Sequence, residues 1–321
     1  MKSKKPKQQL QEFAKLWSGF RASRVILTAN NYRVFDHLKI PKTAEDIARI
    51  ISTDLRATEI LLDAVSAVGL LRKSGNKYRN TAIATEFLVA DSPLYQGDML
   101  RHADSLWKSW SNLDEVVKTG LPSRSGGRDY GSFIRAMHNN AMPRAKAVVS
   151  AIDLKGVKRA LDLGGGPGTY SMELASRKIE VTLFDLPEAV AIAKELATGR
   201  GIDNINFLAG DFHSDDIGKG YDLVYISQIV HSLSIEESLV LITKAREALN
   251  PKGRIVIHEF LLEKDRAHPV PAALFSVNML VNTAAGRSYT VQEMKGWLTK
   301  AGFKAVRTKA FVETVIVTGN L

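Results

Sequence analysis

The feature that most restricts the fold is a predicted strand that runs into a glycine-rich turn and then a helix, LDLGGGPGTYSMELA (161–175). Gly164, Gly166 and Gly168 allow a sharp backbone turn and the close approach of a ligand where a β-carbon would clash. The helix from Thr169 directs free backbone N–H groups towards the same place. Many α/β folds contain such a turn. Here the sixth position of the motif is threonine rather than the glycine of the dinucleotide fingerprint, which disfavours a nicotinamide or flavin cofactor.

Short β-rich runs alternate with amphipathic helical runs from residue 157 onwards. The β-rich runs are RALDLG, EVTLFDL, INFLAGD, YDLVYIS, GRIVIHEFLL and VETVIVTG. Strands separated by helices in this way are typical of βαβ units and of a mostly parallel sheet. We therefore predict an α/β fold with a doubly wound, mostly parallel sheet over residues 156–321.

Acidic residues end two further predicted strands of this sheet. Asp185 ends the strand in TLFDLP, where a carboxylate is placed to bind both hydroxyls of a ribose. The alternative is that Asp185 only caps the helix that begins near Pro187. Asp211, in AGD (209–211), ends the following strand and is expected beside an adenine. Three strand ends directed at one crevice indicate a nucleoside ligand.

Helical patterns dominate the N-terminal region. Apolar residues recur at spacings of three and four and predict a helix over 10–40; they are Leu10, Phe13, Leu16, Trp17 and Phe20. Thr43 and Asp46 form an approximate capping box for a short helix over 44–50.

A second short helix and a hairpin complete a winged-helix pattern. Ser52 and Thr53 open the helix, and Gly69 ends it as a C-cap. Gly75-Asn76 then lies between two short strand-like pieces, which is a hairpin signal. We predict that residues 1–95 form a winged-helix domain that is all-helical apart from this hairpin. Trp17, Phe20, Ile26 and Leu27 carry more apolar surface than so small a domain needs, which predicts an interface.

Residues 95–150 are again helical in pattern, with a break at GLPSRSGG (120–127). The predicted domains are therefore 1–95, a helical linker over 96–155, and 156–321. A chain of 321 residues is long enough for two cores. It has no cysteine, no apolar run near the ~20 residues of a membrane span, and no signal-peptide core after MKSKKPKQQL. We expect a cytoplasmic protein with no membrane partner.

The net charge of +10 raises the question of an acidic partner. The charged residues do not cluster into a basic patch, because charges of both signs alternate along stretches such as 237–247. We predict no nucleic-acid partner on this ground. Asp215-Asp216 is interpreted as a solvated loop, and no metal is predicted.

The stretches LDLGGGPG, FDLPEAV, GDF and ISQIVHSLSIEES together resemble the plant-type and bacterial small-molecule O-methyltransferases, the group that contains caffeate and acetylserotonin O-methyltransferases. The resemblance runs from about residue 20 to the C-terminus. It implies a class I, Rossmann-like methyltransferase fold, S-adenosylmethionine as the cofactor and S-adenosylhomocysteine as its product. It also implies a homodimer formed through the N-terminal domain, and a linker that lines the pocket of a small-molecule acceptor.

The resemblance also assigns site residues. The cofactor-binding set comprises Asp162, Gly164, Gly166, Gly168, Asp185, Leu186, Asp211, Phe212 and Ser227. Phe133 and Met137 match positions that wall the reactive methyl group. Met279 and Asn282 match positions in the acceptor pocket.

The same resemblance identifies His231 as the catalytic base and Glu259 as the acid that orients it. Methyl transfer from a sulfonium is an in-line displacement, so the acceptor must be held near the methyl group and must lose a proton. A histidine, whose ordinary pKa is about 6.5, suits the deprotonation of a phenol. Ser288 stands where the family has a second acid, and His-Ser-Leu replaces the usual His-Asp-Trp. By strand alternation His258 faces away from Glu259, so we interpret it as structural.

Three other functions are compatible with these patterns. A DNA-binding regulator that senses S-adenosylmethionine would need a reading helix, but TDLRATEILLDAVSAV offers only Arg56 for base contacts. The second alternative is a protein that binds the cofactor without turnover, which is suggested by Ser288 at the position of the family's second acid. A nitrogen or carbon acceptor would need a weaker base than a hydroxyl does. The prediction carried forward is transfer of a methyl group to a hydroxyl of a small aromatic or conjugated molecule.

Overall fold

The computed structural model of the chain describes residues 6–123 and 130–321. The chain divides into two compact units, Met1–Asp104 and Ser105–Leu321. The division falls inside the predicted linker over 96–155. The three-part division into 1–95, 96–155 and 156–321 stays a prediction.

The first unit consists of helices around a small sheet. Its elements are α1 (Pro6–Ser18), α2 (Phe20–Asn31), α3 (Val34–His37), β1 (Lys42–Thr43), α4 (Ala44–Ile51), α5 (Leu55–Ala67), β2 (Leu71–Ser74), β3 (Lys77–Asn80) and α6 (Ala82–Leu88). The prediction of one helix over 10–40 is wrong, because the segment breaks at Gly19 and again at Arg33. Arg33 adopts a left-handed conformation with φ of +54°, which no α-helix contains.

The winged-helix pattern is confirmed. Thr43 and Asp46 make the reciprocal capping box at the start of α4. Gly69 follows the end of α5 with φ of +86°, as expected of a glycine just past a helix. The strands β2 and β3 pair as an antiparallel hairpin around Gly75-Asn76, and β1 adds a third strand beside β3.

The start of α5 differs from the prediction. Asp54, not Ser52 or Thr53, is the N-cap, and its carboxylate accepts a hydrogen bond of 2.8 Å from the Ala57 backbone N–H. The helix therefore begins two residues later than a start at Thr53 implies. An aspartate closer to the first helical turn outcompetes the two hydroxyl side chains.

Helices precede the sheet of the second unit. They are α7 (Gly97–Trp110), which begins in the first unit, α8 (Leu113–Thr119), α9 (Tyr130–Ala141) and α10 (Ala145–Val149). The predicted break over 120–127 is helix-free in its described part, 120–123. The remainder of that break lies outside the described residues.

A seven-stranded sheet carries the second unit. Its strands are β4 (Arg159–Leu163), β5 (Glu180–Asp185), β6 (Ile205–Ala209), β7 (Tyr221–Ser227), β8 (Leu249–Phe260), β9 (Lys304–Ala310) and β10 (Thr314–Asn320). Their order is β6-β5-β4-β7-β8-β10-β9, and β10 runs antiparallel to both of its neighbours. The other strand pairs are parallel. The chain winds outwards in both directions from β4 and β7, so the crevice between their carboxyl ends is the topological switch point where ligands bind in such sheets.

Helices cover both faces of this sheet. They are α11 (Thr169–Ala175), α12 (Pro187–Thr198), α13 (Ile235–Ala248), α14 (Val270–Asn282) and α15 (Val291–Lys300). One core joins α10, α11 and α12 to one face, and a second core joins α13 and α15 to the other. The doubly wound fold is therefore confirmed. Among the helices of the described residues, none is both long and apolar enough to cross a membrane.

Candidate active site

The glycine-rich turn lies at the carboxyl end of β4. Gly164, Gly166 and Gly168 all have positive φ, at +75°, +53° and +71°, so the three glycines of the motif supply left-handed backbone that L side chains rarely adopt. Gly164 also faces Ile229, where a β-carbon would lie 2.5 Å from the Ile229 Cδ1 atom. A β-carbon at Gly166 would meet nothing within 4 Å. That side of the turn is the open side, where a ligand can approach the backbone.

Asp185 at the end of β5 is fixed against this turn. Its Oδ2 accepts a hydrogen bond of 2.7 Å from the Gly166 N–H, and its Oδ1 accepts one of 2.7 Å from the Leu186 N–H. Burial raises the pKa of Asp185, while these two backbone hydrogen bonds act to lower it. Each carboxylate oxygen keeps a lone pair for a further donor. The side chain therefore fits the two hydroxyls of a ribose, and it does not cap α12, whose N-cap is Leu186.

Asp162 on β4 is a second buried acid beside the turn. Burial raises its pKa to about 7, although the Ser171 hydroxyl donates a hydrogen bond of 2.6 Å to its Oδ2 and acts in the opposite direction. Its Oδ1 is buried and has no hydrogen-bond partner among the described residues. A buried carboxylate oxygen without a donor is costly, and the ammonium group of an amino-acid moiety would supply one.

Leu186, Asp211 and Phe212 follow the ends of β5 and β6. Leu186 is 40% exposed, which leaves an apolar side chain available to a base. Asp211 is exposed, and its Oδ1 accepts a hydrogen bond of 2.9 Å from the His213 N–H within its own turn. The Phe212 carbonyl accepts a hydrogen bond of 2.8 Å from Lys244, which anchors the turn to α13. These hydrogen bonds fix the turn that follows β6. The contacts of Leu186, Asp211 and Phe212 with a nucleoside stay a prediction.

His231 and Glu259 form a buried pair on the other side of the crevice. His231 lies in a short 3-10 helix, Val230–Ser232, directly after β7, and Glu259 lies near the end of β8. The His231 Nδ1 is 2.8 Å from Glu259 Oε2, and the His231 backbone N–H donates to Glu259 Oε1 at 3.3 Å. Their side chains are 11% and 4% exposed. Because a carboxylate only accepts, Nδ1 carries the proton and Nε2 is left as the basic nitrogen.

Ser288 does not join this pair. Its hydroxyl donates a hydrogen bond of 2.9 Å to the Ala272 carbonyl, and its N–H donates to Ser276 Oγ at 3.2 Å. The imidazole of His231 instead packs against two phenylalanine rings. Phe275 lies edge-on at a centroid distance of 4.8 Å, and Phe260 lies at 6.0 Å.

The helix α9, which carries Phe133 and Met137, begins near Asp185. Tyr130, at its start, is close enough to Asp185 for that charge to act on it, and burial together with Asp185 and Glu188 raises the pKa of Tyr130 to about 12. One residue after Met137, His138 Nδ1 lies 2.8 Å from the hydroxyl of Thr169 at the end of the turn. The helix α9 therefore packs against the end of the glycine-rich turn.

The helix α14 carries the other two predicted pocket residues. Met279 is buried and lies one turn beyond Phe275, which places it on the His231 side of the helix. Asn282 donates from Nδ2 to the Asn278 carbonyl at 2.8 Å and to its Oδ1 at 3.1 Å. The Trp110 indole N–H donates to the same Asn278 Oδ1 at 2.9 Å. These contacts tie α14 to the end of α7.

Several residues of this site have no counterpart in the sequence-based predictions. They are Trp110, Tyr130, Ile229, Phe275 and Asn278. Of these, only Ile229 carried a usable signal, since it stands two residues before His231 at the carboxyl end of a predicted strand. The others contact the site through helices that are distant in sequence, and no motif marks them.

Four features define a class I, S-adenosylmethionine-dependent methyltransferase. They are a glycine-rich turn after the first strand of the sheet, a carboxylate bonded to that turn after the second, a buried acid beside the turn, and a histidine–carboxylate pair after the fourth. The described residues contain no group of three His, Cys, Asp or Glu side chains that could hold a metal ion.

Comparison with known proteins shows which family of methyltransferases the chain resembles. An O-methyltransferase domain matches residues 124–304, and an O-methyltransferase dimerisation domain matches residues 14–90. The chain is 34% identical over 282 residues to the 3-hydroxy-5-methyl-1-naphthoate 3-O-methyltransferase of Streptomyces sahachiroi, covering 84% of this chain and 81% of that protein. It is 31% identical over 318 residues to the acetylserotonin O-methyltransferase of Gallus gallus, covering 91% of each.

Solved structures agree. Human N-acetylserotonin methyltransferase in complex with S-adenosylmethionine has a TM-score of 0.89 and 26% identity, covering 100% of this chain and 99% of that chain. PigF with S-adenosylhomocysteine also has a TM-score of 0.89 and 26% identity, covering 97% and 99%. The chain belongs to the O-methyltransferase family and is an S-adenosylmethionine-dependent O-methyltransferase.

Proposed function

We propose that the enzyme methylates a hydroxyl of a small aromatic acceptor, with His231 as the general base and Glu259 as the residue that orients it. The observation that carries this proposal is the buried hydrogen bond of 2.8 Å between His231 Nδ1 and Glu259 Oε2. It fixes the tautomer in which Nε2 is basic. It also provides a counter-charge for the imidazolium that forms when Nε2 takes a proton.

The proton transfer follows from this arrangement. S-adenosylmethionine, when bound, supplies an electrophilic methyl group. The acceptor hydroxyl gives its proton to His231 Nε2, and its oxygen forms the new bond to the methyl carbon. The bond between that carbon and the cofactor sulfur breaks, its electron pair stays on the sulfur, and S-adenosylhomocysteine is the leaving group. Glu259 keeps its hydrogen bond to Nδ1. General-base catalysis of this kind contributes roughly 10²–10⁴-fold to a rate. The rest of the rate enhancement comes from holding the acceptor oxygen in line with the methyl–sulfur bond. We assign this positioning to Phe133, Met137, Met279 and Asn282.

The cofactor-binding roles are divided along the crevice. We assign the ribose to Asp185, the amino-acid end to the turn of Gly164, Gly166 and Gly168 together with Asp162, and the adenine to Leu186, Asp211 and Phe212. Ser227, at the end of β7, is assigned to the cofactor wall. The two carboxylate oxygens of Asp185, each with one backbone N–H partner, support the ribose assignment.

The class of acceptor rests on the relatives and on the wall of the pocket. The two relatives described above are named for a hydroxynaphthoate and for acetylserotonin, both aromatic hydroxyl compounds. Phe260 and Phe275, 4.2 Å apart between centroids, present aromatic surface beside His231. A flat aromatic ring packs well on such surface. We therefore infer a phenolic acceptor.

The base assignment is tested with His231→Ala and Glu259→Gln. We expect His231→Ala to lower kcat by roughly 10²–10⁴-fold and to leave the affinity for S-adenosylhomocysteine within about threefold, because the imidazole serves the acceptor. Glu259→Gln should reproduce part of the loss, since a neutral amide orients the ring less well. Initial rates with 3-hydroxy-2-naphthoate and N-acetylserotonin, together with calorimetric binding of S-adenosylhomocysteine, measure both effects. Near-wild-type kcat in His231→Ala would exclude His231 as the base.

We further infer a homodimer formed through the N-terminal unit and a cytoplasmic location with no nucleic-acid partner. The helix α1 has no buried residue among those described, and one of its faces is apolar and exposed. Leu27, which the sequence suggested for the interface, is 4% exposed in the single chain, so little of its side chain is available to a second copy. The sequence contains no cysteine, so it has none of the disulfides that mark an oxidising compartment.

A further inference from the structure

Two neighbouring residues of β8 reach opposite faces of the sheet. Glu259 bonds His231 on one face, as described above. His258 is fully buried on the other, where it lies beside Tyr170 and Tyr225 at ring-centroid distances of 5.4 and 6.2 Å. The strand alternation that separates them places both at the same level of the carboxyl edge.

The His258 side chain contacts the end of β7. Its Nδ1 lies 3.0 Å from the hydroxyl of Ser227 and 2.9 Å from that of Tyr225. Its backbone carbonyl accepts a hydrogen bond of 2.8 Å from the Gln228 N–H. His258 therefore holds the point at which the chain leaves β7 through both its side chain and its backbone.

The segment that leaves β7, residues 227–231, is here called the catalytic turn. It contains Gln228 with φ of +58°, a left-handed conformation that a glutamine adopts only at a cost in free energy. It also contains Ile229, whose side chain packs on Gly164 of the glycine-rich turn. The catalytic turn ends at His231, so its conformation sets the position of the imidazole relative to the cofactor side of the crevice.

Stability alone does not account for an imidazole at position 258. Its Nε2 is buried and has no hydrogen-bond partner among the described residues. An unpaired polar atom in the core is destabilising, and an apolar side chain of similar size would avoid that cost.

We propose that His258 is a positioning residue for methyl transfer: its imidazole fixes the first residue of the catalytic turn, while Glu259 fixes the last, so that β8 clamps the turn at both ends. This inference rests on the proposed role of His231 as the base.

The clamp is insensitive to pH over the working range. Burial lowers the pKa of His258 to about 3, and the positive charge of Arg144 adds to this effect. The groups facing the ring from β7 and α11 are Tyr225 and Tyr170. Burial raises the pKa of both phenols, that of Tyr170 to about 12. All three side chains therefore stay uncharged, and the hydrogen bond to Ser227 persists.

The test compares three variants. His258→Leu removes the contact with Ser227, and His258→Asn keeps a short polar group that can still meet the Ser227 hydroxyl. Ile316→Val is the matched control, because Ile316 pairs with His258 from β10 and is buried. We expect His258→Leu to lower kcat about tenfold while S-adenosylhomocysteine affinity stays within about threefold. His258→Asn should recover most of the loss, and Ile316→Val should lower the melting temperature without lowering kcat.

A background lacking the base separates positioning from a general structural role. If His258 acts through His231, His258→Leu has no further effect on the residual kcat of His231→Ala. A tenfold loss that persists in that background would overturn the proposal, as would wild-type kcat in His258→Leu. If the single variant His231→Ala has the same kcat as the wild type, the proposed function is refuted instead.

A second readout needs no acceptor. Spectra of ¹⁵N-histidine-labelled protein with S-adenosylhomocysteine, in which the His231 signals are assigned by their loss in His231→Ala, report the tautomer of that ring. We expect one sharp set of His231 signals with Nδ1 protonated in the wild type, and shifted or broadened signals in His258→Leu because the turn no longer holds the ring in one position. Identical His231 signals in the two proteins would contradict the clamp.

Discussion

Asp185 and His231 are each held by a hydrogen bond to a residue from a distant segment of the chain. The Asp185 carboxylate is oriented by the N–H of Gly166, which precedes it in the chain, and the His231 imidazole by Glu259, which follows it. Each partner lies at the carboxyl edge of the same sheet. A change in either partner therefore alters the function of the named residue without removing it.

Asp185→Ala is expected to weaken S-adenosylhomocysteine binding at least tenfold. Two hydrogen bonds from ribose hydroxyls to the carboxylate would be lost, each worth roughly 1.5–3 kcal/mol because the acceptor is charged. Isothermal titration calorimetry measures the change. Asp203→Ala, which removes an exposed acid from the loop before β6, is the control and should bind as the wild type does. Equal affinities for all three proteins would refute the ribose assignment.

Phe275→Leu is expected to lower kcat about five- to tenfold. The leucine fills much of the volume but cannot make the edge-on ring contact of 4.8 Å that restrains the His231 imidazole. Phe275→Tyr keeps the ring and should stay within about twofold of the wild type. Initial rates at saturating cofactor check this; if Phe275→Leu raises only the KM for the acceptor, the ring serves as a pocket wall and does not restrain the base.

At the residue level, the position of a side chain could be predicted from the sequence where it stands at a strand end within a motif. Asp185 and the motif glycines could be located in this way because strand ends of a doubly wound sheet converge on one crevice. Phe275 could not, since it is one apolar residue among many on a helix whose packing the sequence does not reveal. The position of Ser288 was found by resemblance, but only the structure shows its hydroxyl bonded to Ala272 instead of to the base.

At the level of elements, the start of α4 could be predicted, whereas the start of α5 was placed too early. The capping box of Thr43 and Asp46 is confirmed because a cap depends on residues three apart, which the sequence displays directly. The break at Arg33 was missed because nothing in the local sequence marks an arginine for the left-handed conformation that it adopts. Two further capping boxes start α13 and α15.

The capping box of α15 is reinforced by charge. Glu293 accepts from the Thr290 N–H and hydroxyl, both at 2.9 Å, and from Arg287 at 2.7 Å. Arg266 adds a further hydrogen bond of 3.0 Å. Burial acts to raise the pKa of Glu293, but the hydrogen bonds from Arg287 and Thr290 outweigh it and lower the pKa to about 2.

Glu293→Gln is therefore expected to lower the melting temperature at pH 7 by about 2–4 °C, as loss of a cap worth about 1 kcal/mol would do in a domain of this size. A lowered folded-state pKa stabilises the protein above the unfolded value of 4.5, and that contribution is lost as the pH falls towards about 2. The difference between the two proteins should shrink over this window. Calorimetric melting at pH 7, 5 and 3 measures it, with Glu115→Gln as an exposed control. A difference that is constant with pH would show that the carboxylate charge is not involved.

At the level of the whole molecule, the sheet could be predicted more fully than the helices around it. Strand runs such as EVTLFDL are bounded by turn signals and buried on both faces, so their pattern survives in the structure. The order of the strands does not follow from that pattern, because sequence fixes the strands but not the direction in which each crossover returns.

The apolar face of α1 leads to the last prediction, that the enzyme is a dimer in solution. Leu10, Phe13, Leu16 and Trp17 are 56–81% exposed and lie at helical spacings on one face, and Phe20 at the start of α2 is 54% exposed. A monomer rarely leaves so continuous an apolar surface in water, and the matched dimerisation domain, residues 14–90, includes Leu16, Trp17 and Phe20. Light scattering at micromolar concentration should give twice the mass of one chain for the wild type and for Val312→Glu, an exposed control outside this face. Leu16→Glu combined with Trp17→Glu should give the mass of one chain, because two charges on the face oppose its burial. A wild-type monomer would contradict the prediction, and a double variant that stays dimeric would place the interface elsewhere.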